Sequence, residues 1–346
     1  MAQSHLIGKS SLMTSIVLQF VLLIASIGTT TGAQTGVCYG TLGNNLPPPK
    51  DVVNLFNQQK IQRVRIYDPN HQVLEALRGS NIELVLGIPN TDIENIAASP
   101  VNAKKWVQDN VKTYANVKFR YIVVGNEVKP GDPFAKFVVP AMQNIQTAIS
   151  EAGLSKQIKV STAIESGALG ASYPPSNGAF RSDYLGAYLD GVIKFLVNND
   201  SPLLANVYPY FSYVSNPNNI SLDYALFKST FVVVRDNSLH YTNLFDASVD
   251  AIYFALEKAG GSSVRIVISE TGWPSSGGAS TTLDNAKTYN INLVQRVKAG
   301  TPKRPAIPLE TYLFAMFDEN QKTPEYEKFW GLFLPNKQPK YPIVLN

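Results

Sequence analysis

The 346-residue chain has one cysteine and three histidines. A lone thiol cannot form an internal disulfide, and a zinc centre of the Cys/His type lacks ligands. Catalysis by a histidine-activated nucleophile would have only His71 and His240 to draw on, because His5 falls in a segment read below as a leader. Charge of one sign is also scarce. Thirty Lys+Arg stand against 26 Asp+Glu, a formal charge of +4. No Lys/Arg run exists, which argues against a nucleic-acid footprint. No Gly-x-Gly-x-x-Gly turn follows a strand-like run and no Walker-type lysine loop occurs, which argues against nucleotide cofactors. Beyond the N-terminal region no stretch of about 18 apolar residues offers a membrane span. What is present is a composition 45 % hydrophobic and 16 % charged, enough apolar material for a large core. Chemistry is then expected to rest on Asp, Glu, Lys, Tyr or Ser.

Residues 1–33 have the form of a secretory signal. Lys9 supplies the positive charge, Ile16–Ile24 the apolar stretch, and Thr31, Gly32 and Ala33 a small-residue cleavage site. A buried N-terminal helix or an uncleaved anchor is the alternative. Cleavage would expose Gln34, which can cyclise to pyroglutamate, and would leave residues 34–346 as one catalytic domain, expected to act as a soluble monomer. Cys38, in the apolar stretch Gly36–Gly40, is expected to be a buried, inert thiol. Two glycosylation sequons occur, at Asn199 and Asn219. Asn199 is the weaker acceptor, with Asp200 inside its sequon and Pro202 after it. Asn219 lies among Asn and Pro residues, as an exposed loop would.

Eight short apolar runs alternate with amphipathic segments: Val37–Tyr39, Arg63–Tyr67, Glu83–Ile88, Tyr121–Gly125, Lys159–Ala163, Leu204–Tyr208, Val264–Ser269 and Glu310–Phe314. Most are rich in Val and Ile and apolar on both faces, as parallel strands covered on two sides must be. Residues 134–152 carry Val138, Met142, Ile145, Ile149 and Ala152 at helical steps, and residues 244–259 carry Val249, Ile252, Leu256 and Ala259. Gly79, Gly153, Gly260 and Gly300 stand where helices should stop. The alternation predicts an α/β fold, a single (β/α)₈ barrel. An open doubly wound sheet is the rival, without its phosphate turn. Residues 208–243 lack clear periodicity and read as an elaborated loop region or small subdomain after strand 6.

Active sites of such barrels lie at the C-terminal ends of the strands. Two runs end in a carboxylate: Tyr121-Ile-Val-Val-Gly-Asn-Glu127, and Val264-Arg-Ile-Val-Ile-Ser-Glu270 followed by Thr271-Gly-Trp-Pro274. An ionised group at the end of an apolar strand is costly unless it is used. Each Glu alone could merely cap a helix or pair with a lysine. Both together could flank one glycosidic bond.

These segments resemble glycoside hydrolase family 17. Val264–Gly277 is similar to the family signature. The likeness extends through Val37–Gly40, Arg65–Pro69, Val124–Glu127, Asn206–Phe211 and Phe317–Lys322, and is strongest to the plant β-1,3-glucanases of the pathogenesis-related group. The resemblance implies a secreted retaining enzyme acting on β-1,3-glucans such as callose or fungal wall glucan, in plant defence. It implies Glu127 as general acid/base, Glu270 as nucleophile and a supporting acid–lysine–acid group at Glu319, Lys322 and Glu327, with Glu325 as a substitute for the last. Retention requires carboxyl groups roughly 5–5.5 Å apart, and the charge of Glu270 is expected to raise the pKa of Glu127. Two carboxylates and water suffice, so no metal or organic cofactor is implied. Asn126 is expected to meet the sugar 2-hydroxyl, Tyr39 and Tyr208 to bind sugar, and Trp273, foremost, to bind sugar or shape the site. Tyr67 and Phe211 could equally be core. His71 and His240 are expected to be structural, and Asp68 to start a turn. The rivals are a mixed-linkage glucanase, a transglycosylase and a carbohydrate-binding protein without turnover. The short ending Tyr341–Asn346 leans toward the cell exterior rather than the vacuole.

Overall fold

The computed structural model describes residues 35–345; the expected leader and Gln34 lie outside the described residues. Eight strands form the centre: β1 (Thr35–Cys38), β2 (Arg63–Ile66), β3 (Glu83–Ile88), β4 (Lys118–Asn126), β5 (Lys159–Glu165), β6 (Leu203–Asn206), β7 (Ile266–Thr271) and β8 (Thr311–Leu313). Each pairs in parallel with its neighbours in sequence, and β8 pairs with β1, so the sheet closes on itself. The expected (β/α)₈ barrel is the observed architecture. Its strands are apolar in succession because both faces are covered; in β3 every residue after Glu83 is buried.

The helices cover the outside with the faces their periodicity assigns. Val138, Met142, Ile145 and Ile149 are buried in the helix Val138–Glu151, and Val249, Ile252 and Leu256 in the helix Leu244–Lys258. Gly153 and Gly260 follow these helices with φ of 74° and 83°, a left-handed turn that glycine adopts without a Cβ penalty.

A buried ion network closes the N-terminal ends of the strands. Arg120 grips Glu310 through two contacts of 2.8 and 2.6 Å, Tyr121 and Tyr312 donate to the same carboxylate, and Arg63 pairs with Glu83 at 2.8 Å. Burial alone would raise the pKa of Glu310, but Arg120 and Arg63 prevail and hold it below the usual carboxylate range.

The opposite, C-terminal ends carry two excursions. Residues 208–243 form the helices Pro209–Ser215 and Leu222–Ala225 and an antiparallel ribbon, Val234–Asp236 with Leu239–Tyr241. Tyr224, Val234, Tyr241 and Ala247 give this region a small core of its own. The second excursion, after β5, pairs Leu169–Ala171 with Ala179–Phe180. The two are tied where the Ser176 backbone N–H and hydroxyl donate to the Asp236 carboxylate at 2.7 and 2.6 Å. Asn219 is exposed in a turn, whereas the Asn199 side-chain amide donates to Phe195 O at 2.8 Å and Ser201 of its sequon is buried. Among the described residues no helix is long and apolar enough to cross a membrane.

Candidate active site

A cavity of about 690 Å³ opens over the C-terminal ends of the strands, and Glu127 and Glu270 both line it. Glu127 follows β4 directly. The chain turns out of the strand there with φ of 74° at Gly125 and 51° at Glu127. The second value is unusual for a residue with a side chain and costs on the order of 1–2 kcal/mol. The Asn90 side chain holds the turn by pairing with both backbone groups of Asn126, accepting from its N–H at 2.8 Å and donating to its carbonyl at 2.9 Å. Glu127 N–H in turn donates to Ala163 O at 2.9 Å.

Glu270 sits inside β7, opposite Asn206 of β6. Three donors enclose its carboxylate. Arg65 Nη1 and Tyr67 Oη reach Oε1 at 2.9 and 2.8 Å, and Tyr208 Oη reaches Oε2 at 2.6 Å. Arg65 is buried to 1 % exposure and also donates to Asn206 Oδ1, Ser269 O and Asn126 Oδ1. Asn206 Nδ2 donates to Glu127 Oε1 at 2.8 Å. One polar network therefore joins the two carboxyl groups.

Arg65 can only donate, so the atom of Asn126 facing it must be the oxygen. That oxygen also accepts from Asn206 at 3.1 Å, which leaves the Asn126 amide N–H₂ as the group free to meet a ligand.

The Glu127 pKa is raised to about 7, first by burial and second by the charge of Glu270. The like charge acts as the sequence implied, but desolvation is the larger cause. The Cys38 thiol is buried and pushed up to about 12, chiefly by burial, which makes it inert. The third group also assembles: Lys322 Nζ lies 3.4 Å from Glu319 and 3.8 Å from Glu327, all three facing the cavity. Glu325 instead pairs with Lys328 at 2.6 Å, so Glu327 takes the position left open in the sequence.

The aromatic residues divide. Tyr39 and Tyr208 line the cavity, together with Tyr67, Phe211, Phe314 and Trp330. Trp273 does not. It is fully buried, packs against Tyr210, Tyr213 and Tyr289, and donates its indole N–H to Ser280 O at 2.9 Å. Its place after β7, fixed by Pro274, suggests a ring that binds sugar or shapes the site. The surrounding rings instead enclose it, and it shapes the wall from behind. Trp273→Phe should therefore lower stability by roughly 1–3 kcal/mol, through lost packing and the lost indole hydrogen bond, and leave KM within about twofold. A melting curve alongside kinetics checks this; a large rise in KM without loss of stability would restore a ligand contact. His71 accepts or donates at 2.7 Å to the Tyr114 hydroxyl, and His240 faces Arg235 on the exposed ribbon, both away from the cavity. Asp68 lies in a bend after β2 at the cavity wall.

Sequence reading missed Arg65, Asn206, Glu165 and Trp330. For Arg65 the signal was available. It is a charge between Val64 and Ile66 in a strand buried throughout, which is as costly as the glutamates that were noticed.

The profile of the glycosyl hydrolases family 17 matches residues 35–345. A glucan endo-1,3-beta-glucosidase of Vitis vinifera is 57 % identical over 323 residues, covering 92 % of this chain and 93 % of that protein. The basic vacuolar isoform GLB of glucan endo-1,3-beta-glucosidase from Nicotiana tabacum is 54 % identical over 334 residues, covering 95 % and 90 %. The solved structure of CJP38, a beta-1,3-glucanase and allergen of Cryptomeria japonica pollen, superposes with a TM-score of 0.87 at 48 % identity, covering 90 % of this chain and 99 % of that one. The vacuolar relative corrects one expectation. Likeness of this order accompanies a vacuolar protein, so the preference for the cell exterior over the vacuole does not stand.

Proposed function

The chain belongs to the glycosyl hydrolases family 17, and from that premise we propose that it is an endo-β-1,3-glucanase that cleaves internal bonds of β-1,3-glucans with retention at the anomeric carbon. The observation that carries this reading is the pairing in one cavity of Glu270, wrapped by three donors, with Glu127, which burial keeps protonated up to about pH 7. Glu270 attacks the anomeric carbon as the bond to the leaving sugar breaks, and Glu127 gives its proton to the departing oxygen. Esterification then removes the negative charge of Glu270. The proton affinity of Glu127 falls, though only in part, because burial persists. Glu127 takes a proton from water, the water oxygen attacks the anomeric carbon, and Glu270 leaves as a carboxylate. The free Asn126 amide is oriented to donate to a sugar hydroxyl. Lys322 lies with its ammonium 4.1 Å from the Phe314 ring centre and neutralises part of the charge of Glu319 and Glu327.

The test is release of reducing ends from a linear β-1,3-glucan by the purified chain. Absence of release would end the reading; tight binding with no turnover would favour a lectin-like protein, and faster cleavage of a mixed-linkage glucan would favour the β-1,3;1,4 specificity. Products longer than the substrate would identify a transglycosylase. Callose and fungal wall glucan are the polymers that fit the proposal, and the working unit is a monomer, which sedimentation checks.

The pH dependence follows from Glu127. Its carboxyl must be protonated to start the reaction, and its raised pKa keeps it so below about 7. The value of kcat/KM should thus fall as pH rises past 7, by about tenfold per unit. A profile whose alkaline fall begins below pH 5.5 would contradict this.

A further inference from the structure

Glu165 ends β5 and faces the cavity beside Glu127, yet neither the pair of catalytic carboxyls nor the acid–lysine–acid group includes it. Its register partner on β6 is Asn206, the residue that donates to Glu127. Three other acids of the cavity have a cation beside them: Glu270 has Arg65, and Glu319 and Glu327 share Lys322; Glu127 is held by the neutral amide of Asn206. Among the described residues Glu165 forms no ion pair. Arg181, whose guanidinium lies 5.5 Å from the centre of the Tyr184 ring, is committed to Asp183 by contacts of 2.9 and 2.6 Å. A single neutral donor holds Glu165, the Tyr184 hydroxyl, 2.6 Å from Oε1. Among the described residues no protein donor meets Oε2.

The surroundings keep that second oxygen open. Gly167 also lines the cavity, and a Cβ there would stand 3.2–3.3 Å from the Glu165 carboxyl carbon and Oε2. Ser166 is drawn the other way, its hydroxyl donating to Asn206 O at 3.2 Å. A half-buried carboxylate whose second oxygen opens on the cavity can exchange water for a bound hydroxyl there.

We propose that Glu165 is a substrate-binding residue of the same site, whose Oε2 accepts a hydrogen bond from a hydroxyl of a bound neutral glucosyl unit. This rests on the glucanase reading above. The negative charge of Glu165 also favours the protonated form of Glu127, since it adds to the elevation of the Glu127 pKa behind burial and Glu270.

The experiment compares wild type, Glu165→Gln, Glu165→Asp and Tyr184→Phe on linear β-1,3-glucan across pH 4–9, with melting curves for each. Wild-type turnover comes first; without it the glucanase reading fails, independently of Glu165. Given turnover, Glu165→Gln should raise KM roughly five- to tenfold, the loss of one charged hydrogen bond, and move the alkaline fall of kcat/KM to lower pH. Glu165→Asp keeps the charge, so its alkaline limb should stay with wild type while KM rises. Tyr184→Phe frees Oε1 and keeps the charge, raising KM without moving the limb. A Glu165→Gln profile and KM that overlay wild type would overturn the proposal. Should that variant fail to fold, an unchanged KM in Tyr184→Phe would overturn it instead.

Discussion

Glu270→Gln should reduce turnover of linear β-1,3-glucan by roughly 10⁴-fold or more, equivalent to about 5.5 kcal/mol of transition-state stabilisation. The substitution keeps the shape of the side chain and, with the amide oxygen at the Oε1 position, the hydrogen bonds that Arg65 and Tyr67 donate; the amide N–H₂ then faces Tyr208, whose hydroxyl accepts instead of donating. It removes the atom that attacks carbon. An amide oxygen is too weak a nucleophile, and no neighbouring carboxylate is built to replace it: Glu319 is occupied by the Leu42 backbone N–H at 2.8 Å and by Lys322. Binding should survive, so substrate affinity measured by titration should remain within a few-fold of wild type. Turnover above about 1 % of wild type would remove Glu270 from the nucleophilic role.

The comparison with Glu127→Ala separates the two roles. A glucoside with an acidic phenol as leaving group needs no proton for the first bond cleavage. Glu127→Ala should therefore release phenol in a rapid first turnover and then stall at the glycosyl ester, because water has lost its base. Added azide, which needs no base, should restore turnover and yield a product of the original anomeric configuration. In Glu270→Ala azide instead enters the vacant space on the opposite face and yields the inverted product. Identical azide products from both variants would contradict the assignment.

Much of this was legible in the sequence because the barrel writes its pattern redundantly. Parallel strands covered on both faces leave eight apolar runs, and any polar residue within them stands out. Glu127 and Glu270 were visible on that account. Glu165 was not, because the run read from the sequence, Lys159–Ala163, stops before it, while the strand continues to Glu165. Asn206 looks like an ordinary strand-end amide, and only the fold shows it bridging Arg65 and Glu127. Trp273 failed for the reverse reason. Position after the strand gives proximity to the site, but Tyr210, Tyr213 and Tyr289 arrive from distant segments, and their closure over the indole has no local signal. The excursion after β5 was missed because its strands are two or three residues long, too short for periodicity.

Arg65 provides the most severe test of how fold and chemistry depend on each other. Burial opposes its charge, yet Tyr67, Glu270 and the other polar groups around it prevail and keep it a cation. Its guanidinium reaches Asn126, Asn206, Ser269 and Glu270 at once, and lies 4.6 Å from the centre of the Tyr67 ring. Arg65→Met preserves much of the volume but leaves Glu270 buried without its cation, at a cost of roughly 3–5 kcal/mol. The midpoint of thermal unfolding should fall by about 5–10 °C. Activity should drop by roughly 10³-fold, mostly in kcat, because Glu270 loses its cation, Asn126 loses its charged donor, and the oxygen of Asn206 is left to the Ser269 hydroxyl alone, which loosens the amide that orients Glu127. Arg65→Lys keeps the charge but places its three donors on one nitrogen in place of a planar fork. One nitrogen cannot occupy the positions of both Nη1 and Nη2, so Glu270 and Asn126 cannot both keep their present contacts. Its stability should recover most of the way while kcat remains some 10- to 100-fold low, a gap between folding and catalysis that a purely structural cation would not leave. Recovery of full activity in Arg65→Lys would mean that charge alone suffices, and the orienting role of the fork would fall.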